Sequence, residues 1–379
     1  MEVRIVDRIA SIERDEWNAL VSPQASPFVE YDWLYGLEET KCTGGESGWY
    51  PVHFTFRDAG KLVAAAPAYV KENSEGEFIY DWSWAEAATR AGIAYYPKLV
   101  FGVPFTPVTG PRLLCPDELR ATLVPALAGV AEAFVKKAGL SSAHVLFPEA
   151  AEAEAWTEAG FMHRMSTQFH FVNDGYKTFE DFLTRLPSKK RTQLRRERGQ
   201  AAKDGITITT HPPTEPDRKL VSTMYELYLT TVDKFSWGRR YLNPQFFEYV
   251  GKHFFHRLAW VLAEREGRLI ASAFNLKKDK RLYGRYWGTF EEHPFLHFNV
   301  CYYHGVDECI REGLSVFEPG AGGEHKRVRG FLPTIMHSAH LIEHPGLDHA
   351  IRDFLGRERG AVTRMVEQER AESGLVRAT

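Results

Sequence analysis

The sequence predicts an α/β protein, of the α+β kind, built from two similar domains that each contain a mixed, mostly antiparallel sheet flanked by helices. A chain of 379 residues is too long for one ordinary hydrophobic core, so two domains are expected. Both halves show the same order, with helices first, then an antiparallel meander, then a helix and a further strand. No repeat of individual residues accompanies this order. We place the domains at 1–173 and 174–379.

The first half supplies the clearest hairpin and the clearest helix. Two runs rich in strand-forming residues, 50–56 and 62–70, flank Asp58-Ala59-Gly60, which is typical of a hairpin turn. A long apolar periodicity over 117–137 predicts a helix, and the run 143–147 predicts the strand that follows it. A further helix and strand then complete the first domain.

The second half repeats this succession. Three strand-like runs, 258–264, 269–276 and 281–288, come together with tight turns between them, which predicts an antiparallel meander. A helix over 300–312 and a short strand that ends at Glu318 follow. The likeness of the two halves is therefore one of architecture.

Composition and charge exclude several classes of protein. Hydrophobic residues make up 44% of the chain and aromatic residues 13%, which is typical of a well-packed globular protein. A net charge of -3 predicts no global attraction to nucleic acid, so any such contact must use a local basic patch. The four cysteines are scattered, which indicates reduced thiols, and the N-terminus lacks the apolar core of a signal peptide. We expect a cytoplasmic protein without a membrane span, and the oligomeric state stays open.

The run 317–344 combines proton-transfer groups with a glycine-rich loop. Glu318 ends a short apolar strand, which the following proline and glycine stop. Glu324 and His325 come next, and an acid and a histidine can both move protons near neutral pH. We expect Glu324 or His325 to accept a proton, with Glu318 as the next candidate. The alternative is a surface turn with solvated charges.

Cations follow in the same loop and recur in a basic helix. Lys326 and Arg329 can hold phosphate or carboxylate, the arginine in a two-pronged manner. The run 188–198 holds six basic residues and one acid, and no face of the predicted helix is cleanly apolar. We expect these cations to bind the phosphates of a donor: Lys190, Arg191, Arg195, Lys326 and Arg329. A solvated helix is the alternative for the basic run.

Two segments present aromatic side chains with polar tips, which suit ligand contact. One is the proline-interrupted stretch 80–111, and the other is the predicted strand 281–288. We expect the following residues to orient an acceptor: Asp81, Trp82, Lys98, Tyr283, Arg285 and Tyr286. For any single residue of the first segment, the alternative is a long aromatic loop packed on its own domain. His337 and His340, three residues apart, lack the further ligands of a convincing metal site, so no metal is predicted.

Several segments resemble the Fem-like predicted N-acyltransferases of bacteria. That family is similar to the Fem-type aminoacyltransferases that build peptidoglycan cross-bridges, and both have two tandem Gcn5-related acyltransferase-like domains. The order of the predicted elements fits this fold in both halves. The segments that carry the resemblance are Tyr80–Trp82, Tyr96–Leu99, Pro104–Arg112, Gln168–His170, Lys189–Arg191, Arg195–Arg198, Gly320–Lys326 and Arg329–Phe331.

The resemblance implies transfer of an acyl or aminoacyl group onto an amine of a peptide, a peptidoglycan precursor or a small molecule, including a natural product. The donor is aminoacyl-tRNA in Fem-type enzymes and acyl-coenzyme A in ordinary members of the fold, and no tightly bound cofactor is implied. The pyrophosphate loop of the coenzyme A users, Gln/Arg-x-x-Gly-x-Gly/Ala, is not clear here. Gly199 is followed by Gln200 and Ala201, so alanine stands where the second glycine would be, and we take this to favour aminoacyl-tRNA or another donor. The long helical hairpin of some Fem enzymes is also missing, which excludes tRNA binding by that arm.

A function of another class stays open at this point. Fold does not confer activity, so the chain is alternatively a non-catalytic binding module that recognises peptidoglycan peptides or nucleic acid. Acyl transfer to an amine needs a neutral nucleophile, a route for its proton and donors for an oxyanion. The clustering of proton-transfer groups with cations on one loop favours catalysis.

Overall fold

The computed structural model describes residues 1–234, 238–373 and 375, apart from the side chain of Glu324. The chain forms two compact units. The first unit holds residues 1–167 and 335–364, and the second holds residues 168–334 together with residues from Met365 onward. These units differ from the continuous domains predicted at 1–173 and 174–379. The reason is that the segment 335–364 returns to the first unit, where its strand pairs with a strand of the first half.

The described strands are named here in chain order. They are β1 (Glu2–Val6), β2 (Trp49–Pro51), β3 (His53–Asp58), β4 (Lys61–Ala66), β5 (Ala68–Lys71), β6 (Lys98–Phe101), β7 (Ser142–Leu146), β8 (Met162–Val172), β9 (Ile206–Thr210), β10 (Val261–Arg265), β11 (Arg268–Lys278), β12 (Arg281–Thr289), β13 (Val316–Glu318) and β14 (Leu332–Ile342).

The described α-helices are α1 (Arg14–Asn18), α2 (Tyr31–Glu39), α3 (Trp82–Arg90), α4 (Asp117–Ala138), α5 (Ala150–Glu158), α6 (Phe179–Thr184), α7 (Ser188–Arg198), α8 (Gln200–Lys203), α9 (Arg218–Val232), α10 (Pro244–His253), α11 (Leu296–Phe298), α12 (His304–Glu312) and α13 (Pro345–Ser373). A π-helical turn over Asn299–Tyr303 joins α11 to α12.

The first unit contains two sheets. One has the strand order β2-β5-β6-β7-β14 and the other the order β1-β3-β4. Neighbouring strands are antiparallel except β6 and β7, which are parallel. Because parallel neighbours need a crossover connection, the long helix α4 runs between them. Leu123 and Leu127 of α4 are fully buried in the same apolar cluster as Phe54, Phe101 and Trp156, which forms the core of this unit.

The second unit repeats this plan with other strands. Its strand order is β9-β10-β11-β12-β13-β8. Only β12 and β13 are parallel among these neighbours, and the helical segment from α11 to α12 connects them. Each unit is thus a mixed, mostly antiparallel sheet flanked by helices, with one parallel pair. The predicted fold class is confirmed.

Helix α9 packs directly onto β12 and fixes one side of the second unit. The side chain of Asp217 accepts a hydrogen bond from the Leu220 backbone N–H at 2.7 Å and so caps the start of this helix. A methyl group added to Gly288 would lie 1.7 Å from the Leu227 carbonyl oxygen, so only glycine fits at this strand position. The residues of β12 beside Gly288 are therefore held at a fixed distance from α9.

A pair of buried histidines joins β7 to β14 in the first unit. The Nδ1 atoms of His144 and His340 lie 2.7 Å apart, and each Nε2 atom lies 2.8 Å from a serine hydroxyl, that of Ser142 or of Ser338. One proton on the shared Nδ1–Nδ1 contact satisfies both rings, whereas two protons would face each other. Burial lowers the pKa of His144 to about 3 and the pKa of His340 well below its usual range. Both rings are therefore neutral in the folded chain at neutral pH.

This pair predicts a loss of stability in mild acid. The unfolded chain binds protons at the ordinary histidine pKa of 6.5, while the folded chain resists protonation. The stabilisation is therefore complete above pH 6.5 and is lost as the pH falls below it, by up to roughly 2 kcal/mol per histidine between pH 6.5 and 5. Urea unfolding followed at both pH values measures this loss.

The double variant His144→Gln and His340→Gln isolates the effect. We expect its unfolding midpoint to depend less on pH than that of the natural protein over the same interval. His349→Gln, at a side chain that is 81% exposed, is the matched control and should keep the natural pH dependence. An unchanged pH dependence in the double variant would refute the role given to the pair.

Candidate active site

The parallel strands β12 and β13 separate in the middle of the second unit. They pair over Arg281–Tyr283 and Val316–Glu318, after which β13 ends while β12 continues to Thr289. Pro319 follows β13 and cannot donate a backbone hydrogen bond, so the ladder cannot continue. Beyond this point, the β12 edge that faced β13 lacks that strand partner.

A β-bulge lies where the strands separate. In the pairing of β11 with β12, Phe274 faces Tyr286 and Asn275 faces Gly284, so Arg285 is the extra residue. A bulge takes backbone groups out of the ladder and redirects the neighbouring side chains. Backbone N–H groups placed in this way can donate to a developing oxyanion.

A pocket of about 180 Å³ occupies this part of the second unit. Its walls come from α9, β11, β12 and the helical segment that begins with α11. The side chains that give it chemical character are Asn275, Arg285, Tyr286, Trp287, His297 and Tyr302. Tyr302 belongs to the π-helical turn, and such turns occur frequently at functional sites.

His325 lies next to this pocket. Its Nε2 atom is 2.9 Å from the hydroxyl oxygen of Tyr302, which itself lines the pocket. Burial, followed by the charges of Lys326 and Arg329, lowers the pKa of His325 below its usual 6.5. The imidazole is therefore neutral at neutral pH and can accept a proton. Burial also lowers the pKa of His297, a pocket residue, to about 4.

The glycine-rich loop is held from inside by a lysine. The Lys326 ammonium is buried and donates hydrogen bonds to the Gly320 carbonyl oxygen at 2.6 Å and to the Ala321 carbonyl oxygen at 3.3 Å. Burial lowers its pKa to about 8. We predicted that Lys326 binds a donor phosphate, and this does not fit a side chain already enclosed by the loop.

Arg329 is also engaged inside the unit. Its guanidinium forms an ion pair of 2.8 Å with Glu197, lies over the ring of Phe298 and donates to the His325 carbonyl oxygen at 2.8 Å. Both side chains of the ion pair are buried. The prediction that Arg329 holds a donor phosphate therefore does not fit either, because its charge is neutralised and enclosed.

Glu197 is a structural residue that was not predicted from the sequence. It is the one acid of the basic helix α7, and its carboxylate accepts hydrogen bonds from Arg329, from the Tyr303 hydroxyl and from Gln193. The ion pair therefore ties α7 to the turn that carries His325. A single acid within a strongly basic run was the available signal, since a lone opposite charge often marks a buried partner.

The basic helix presents most of its cations to solvent. Arg195 is exposed and pairs with Glu180 at 2.7 Å, and Arg191 donates to the Leu186 carbonyl oxygen at 3.1 Å. Within the part of the chain that the structure describes, Lys190 and Arg191 contact no carboxylate. The donor-binding prediction for Lys190, Arg191 and Arg195 stays a prediction that this placement allows.

The remaining predicted residues of the second unit divide between pocket and interior. Arg285 and Tyr286 line the pocket, whereas Tyr283 is buried. Glu318 is buried at the end of β13, and its carboxylate accepts a hydrogen bond from Arg281 at 2.7 Å. The side chain of Glu324 lies outside the described residues, although its backbone belongs to the 3₁₀ turn Glu324–Arg329.

Three predicted acceptor residues lie in the first unit and do not share a surface. The Lys98 ammonium is fully buried and pairs with Asp81 at 2.6 Å and with Glu77 at 2.9 Å, while Tyr95 donates to Asp81 at 2.7 Å. The prediction that Asp81 and Lys98 orient an acceptor does not fit this buried ion cluster. Trp82, by contrast, is 51% exposed.

The described residues contain neither a candidate metal site nor a helix suited to a membrane. No group of three or more histidine, cysteine, aspartate or glutamate side chains there is arranged to hold a metal ion. No described helix has both the length and the apolar composition needed to cross a membrane.

The repeated sheet plan and the pocket at the separating strands define a protein of the tandem Gcn5-related acyltransferase fold. The chain belongs to the FemAB-like family, described as peptidoglycan biosynthesis/recognition, whose model matches residues 8–375. This confirms the resemblance to Fem-like proteins. No curated protein sequence matches the chain.

Solved structures share the fold at low sequence identity. The crystal structure of FemX has a TM-score of 0.55 and 13% identity, over 93% of this chain and 100% of that chain. The C-terminal domain of a putative lysylphosphatidylglycerol synthetase from Agrobacterium fabrum has a TM-score of 0.55 and 12% identity, over 96% and 98% of the two chains. The structure of L-PGS from Bacillus licheniformis has a TM-score of 0.55 and 9% identity, over 91% and 97%. Identities this low establish the fold alone.

The ion pair between Glu197 and Arg329 predicts a large asymmetry in stability. Glu197→Leu should lower the free energy of unfolding by about 3–5 kcal/mol, because it leaves a guanidinium buried without its counter-charge. Adding Arg329→Met to Glu197→Leu should restore much of this loss. Urea unfolding of the single and double variants measures the coupling.

Glu180→Leu is the matched control, because it removes the partner of an exposed arginine on the same helix. Its cost should stay below about 1 kcal/mol. Equal losses from Glu180→Leu and Glu197→Leu would show that the buried pair does not fix the position of α7.

Proposed function

We propose that this protein is an aminoacyltransferase that moves an aminoacyl group from a tRNA onto an amine of a peptide, a peptidoglycan precursor or a small molecule. Membership of the FemAB-like family and the fold support a function of the aminoacyltransferase type. The observation that carries the proposal is the pocket at the separating strands, which combines a bulged backbone with a neutral imidazole beside it.

The proposed reaction is one nucleophilic substitution at an ester carbonyl. The neutral amine attacks the carbonyl carbon, a C–N bond forms, and the C–O bond to the ribose oxygen of the tRNA breaks. The amine loses one proton and the departing ribose oxygen gains one, so the products are an amide and a free hydroxyl group. The tetrahedral intermediate carries an oxyanion, and we assign its stabilisation to the backbone N–H groups at the bulge and to the guanidinium of Arg285, which lines the pocket.

His325 is the proposed proton acceptor. Its lowered pKa keeps the imidazole unprotonated at neutral pH, and the Tyr302 hydroxyl links it to the pocket. Glu318 is the weaker candidate, because its carboxylate is buried and already accepts a hydrogen bond from Arg281. Glu324, next to His325 in the sequence, ranks after His325 and before Glu318 as a candidate proton acceptor.

The segment between β12 and the following helix favours tRNA over coenzyme A as the donor. A pyrophosphate is usually held by a glycine-rich turn at a helix start, where backbone N–H groups point outward. Residues 290–295 contain no glycine, so this segment lacks such a turn. The exposed cations of α7 offer the sugar–phosphate backbone of a tRNA an alternative contact surface. Arg195 is one of these exposed cations, and the half-buried Lys190 and Arg191 lie on the same helix.

Transfer assays test this proposal. Purified protein is incubated with tRNA charged with a mixture of amino acids, or separately with a mixture of acyl-coenzyme A thioesters, and with a muramyl-pentapeptide nucleotide precursor and simple amines as acceptors. Mass spectrometry should detect an acceptor that has gained one aminoacyl residue, from charged tRNA alone. A product formed only from the thioesters would contradict the tRNA donor, and no product from any donor would favour the binding module.

The pH dependence of this reaction isolates the role of His325. Because burial and two nearby cations lower the pKa of His325, its basic form persists below pH 6.5. We expect kcat/KM to fall with acid through a midpoint below pH 6.5, and His325→Asn to reduce kcat by about 100-fold or more. Initial rates between pH 4.5 and 8 provide the measurement.

Ser222→Ala, at an exposed position of α9 outside the pocket, is the control and should leave both rate and pH profile unchanged. Full activity in His325→Asn would show that the imidazole does not accept the proton and would leave Glu324 as the leading candidate.

A further inference from the structure

The size of the pocket limits what it can hold. Its volume of about 180 Å³ is below the roughly 300–1,000 Å³ that is common for sites of drug-sized ligands. A nucleoside or a peptide would not fit inside it. A single amino-acid side chain with its carbonyl group is of the right size, and the bulge that is placed to stabilise the oxyanion borders the same space.

The described residues of the pocket walls carry positive charge and no negative charge. Among the described residues that line the pocket, Arg285 is the one side chain with a permanent charge, and no carboxylate is present. The nearby carboxylate of Glu318 already accepts a hydrogen bond from Arg281, and the imidazole of His297 is neutral at neutral pH. A ligand with a cationic side chain would therefore be desolvated without a counter-charge.

Asn275 is the second feature that points to a ligand. This β11 side chain is only 2% exposed and lines the pocket beside the bulge. Its amide nitrogen, Nδ2, has no hydrogen-bond partner in the part of the chain that the structure describes. Buried amide groups in folded proteins are nearly always hydrogen-bonded, so an oxygen atom supplied by a ligand would complete this site.

We propose that this pocket selects an aminoacyl group whose side chain is short, uncharged and bears a hydrogen-bond-accepting oxygen. The side-chain amide of Asn275 donates a hydrogen bond to that oxygen. The hydroxyl or amide side chains of serine, threonine and asparagine meet these conditions. Lysyl and arginyl groups are rejected, in contrast to the lysine in the name of the Agrobacterium fabrum protein that shares the fold. The inference rests on the proposed function, since it assigns the substrate class of the same site.

Binding of stable donor analogues tests the selection independently of turnover. The probes are 3′-aminoacylamino-3′-deoxyadenosines that carry serine, alanine or lysine through an amide in place of the ester. Isothermal titration with the full-length protein should show the seryl probe binding at least about tenfold more tightly than the alanyl probe, as one hydrogen bond to a buried donor provides. The lysyl probe should bind most weakly.

Two variants of one residue make the test specific. Asn275→Leu keeps the size of the side chain and should remove the preference for serine over alanine while retaining alanyl binding. Asn275→Asp replaces the donor by a negative charge and should raise the affinity for the lysyl probe. Ser222→Ala is again the control, and circular dichroism confirms folding of each variant.

The outcomes separate this inference from the proposed function. Equal binding of the seryl and alanyl probes, strongest binding of the lysyl probe, an unchanged preference in Asn275→Leu, or no binding of any probe would each overturn the selection by Asn275. Aminoacyl transfer detected alongside such a result would leave the proposed function standing. Selective seryl binding without transfer to any acceptor would instead support the pocket and contradict the enzyme.

Discussion

The candidate site depends on one constraint, which is that β13 is too short to accompany β12. A proline after its third residue ends the ladder, and β12 continues alone past the bulge at Arg285. This separation leaves a strand edge without its parallel partner beside a pocket of the second unit. The π-helical turn and α9 then supply the walls, with Gly288 allowing α9 to approach. The position of the candidate site therefore follows from how the strands of the sheet pair.

The two cations near the pocket, Lys326 and Arg329, bind groups of the protein itself. Lys326 fastens the carbonyl groups of the glycine-rich loop from inside, and Arg329 joins the turn of His325 to Glu197 on α7. Burying these charges is costly unless they are paired or hydrogen-bonded, and both are. These contacts hold the turn that carries His325 in place. The nearby positive charges also help to keep its imidazole unprotonated. Preorganisation of this kind is what a proton acceptor needs.

Local patterns in the sequence predicted most of the helices, the meander of β10 to β12 and the fold class, because periodicity and turn residues encode them directly. Helix α3 was not predicted, since it lies in the aromatic, proline-interrupted stretch 80–111. Strand β14 was missed, since its partner β7 lies far away in the sequence. The return of 335–364 to the first unit was invisible for the same reason. The ligand-binding roles predicted for Asp81, Lys98, Lys326 and Arg329 do not fit, because all four side chains are buried. Asp81 and Lys98 pair with each other. Arg285 and Tyr286 line one pocket and His325 contacts a residue that lines it, and the roles predicted for all three stay predictions, whereas Asn275 gave no signal in the sequence.

The most direct measurement of the central claim is a crystal structure of the protein soaked with a 3′-aminoacylamino-3′-deoxyadenosine. The position of the carbonyl group of the analogue decides the matter, because the separated strands are proposed to hold the reacting carbon. We expect that carbonyl oxygen within hydrogen-bond distance of the backbone N–H groups at the β12 bulge, with the side chain of the analogue in the adjoining pocket. An analogue bound at another surface, with the space between β12 and β13 unchanged, would contradict the assignment of the active site.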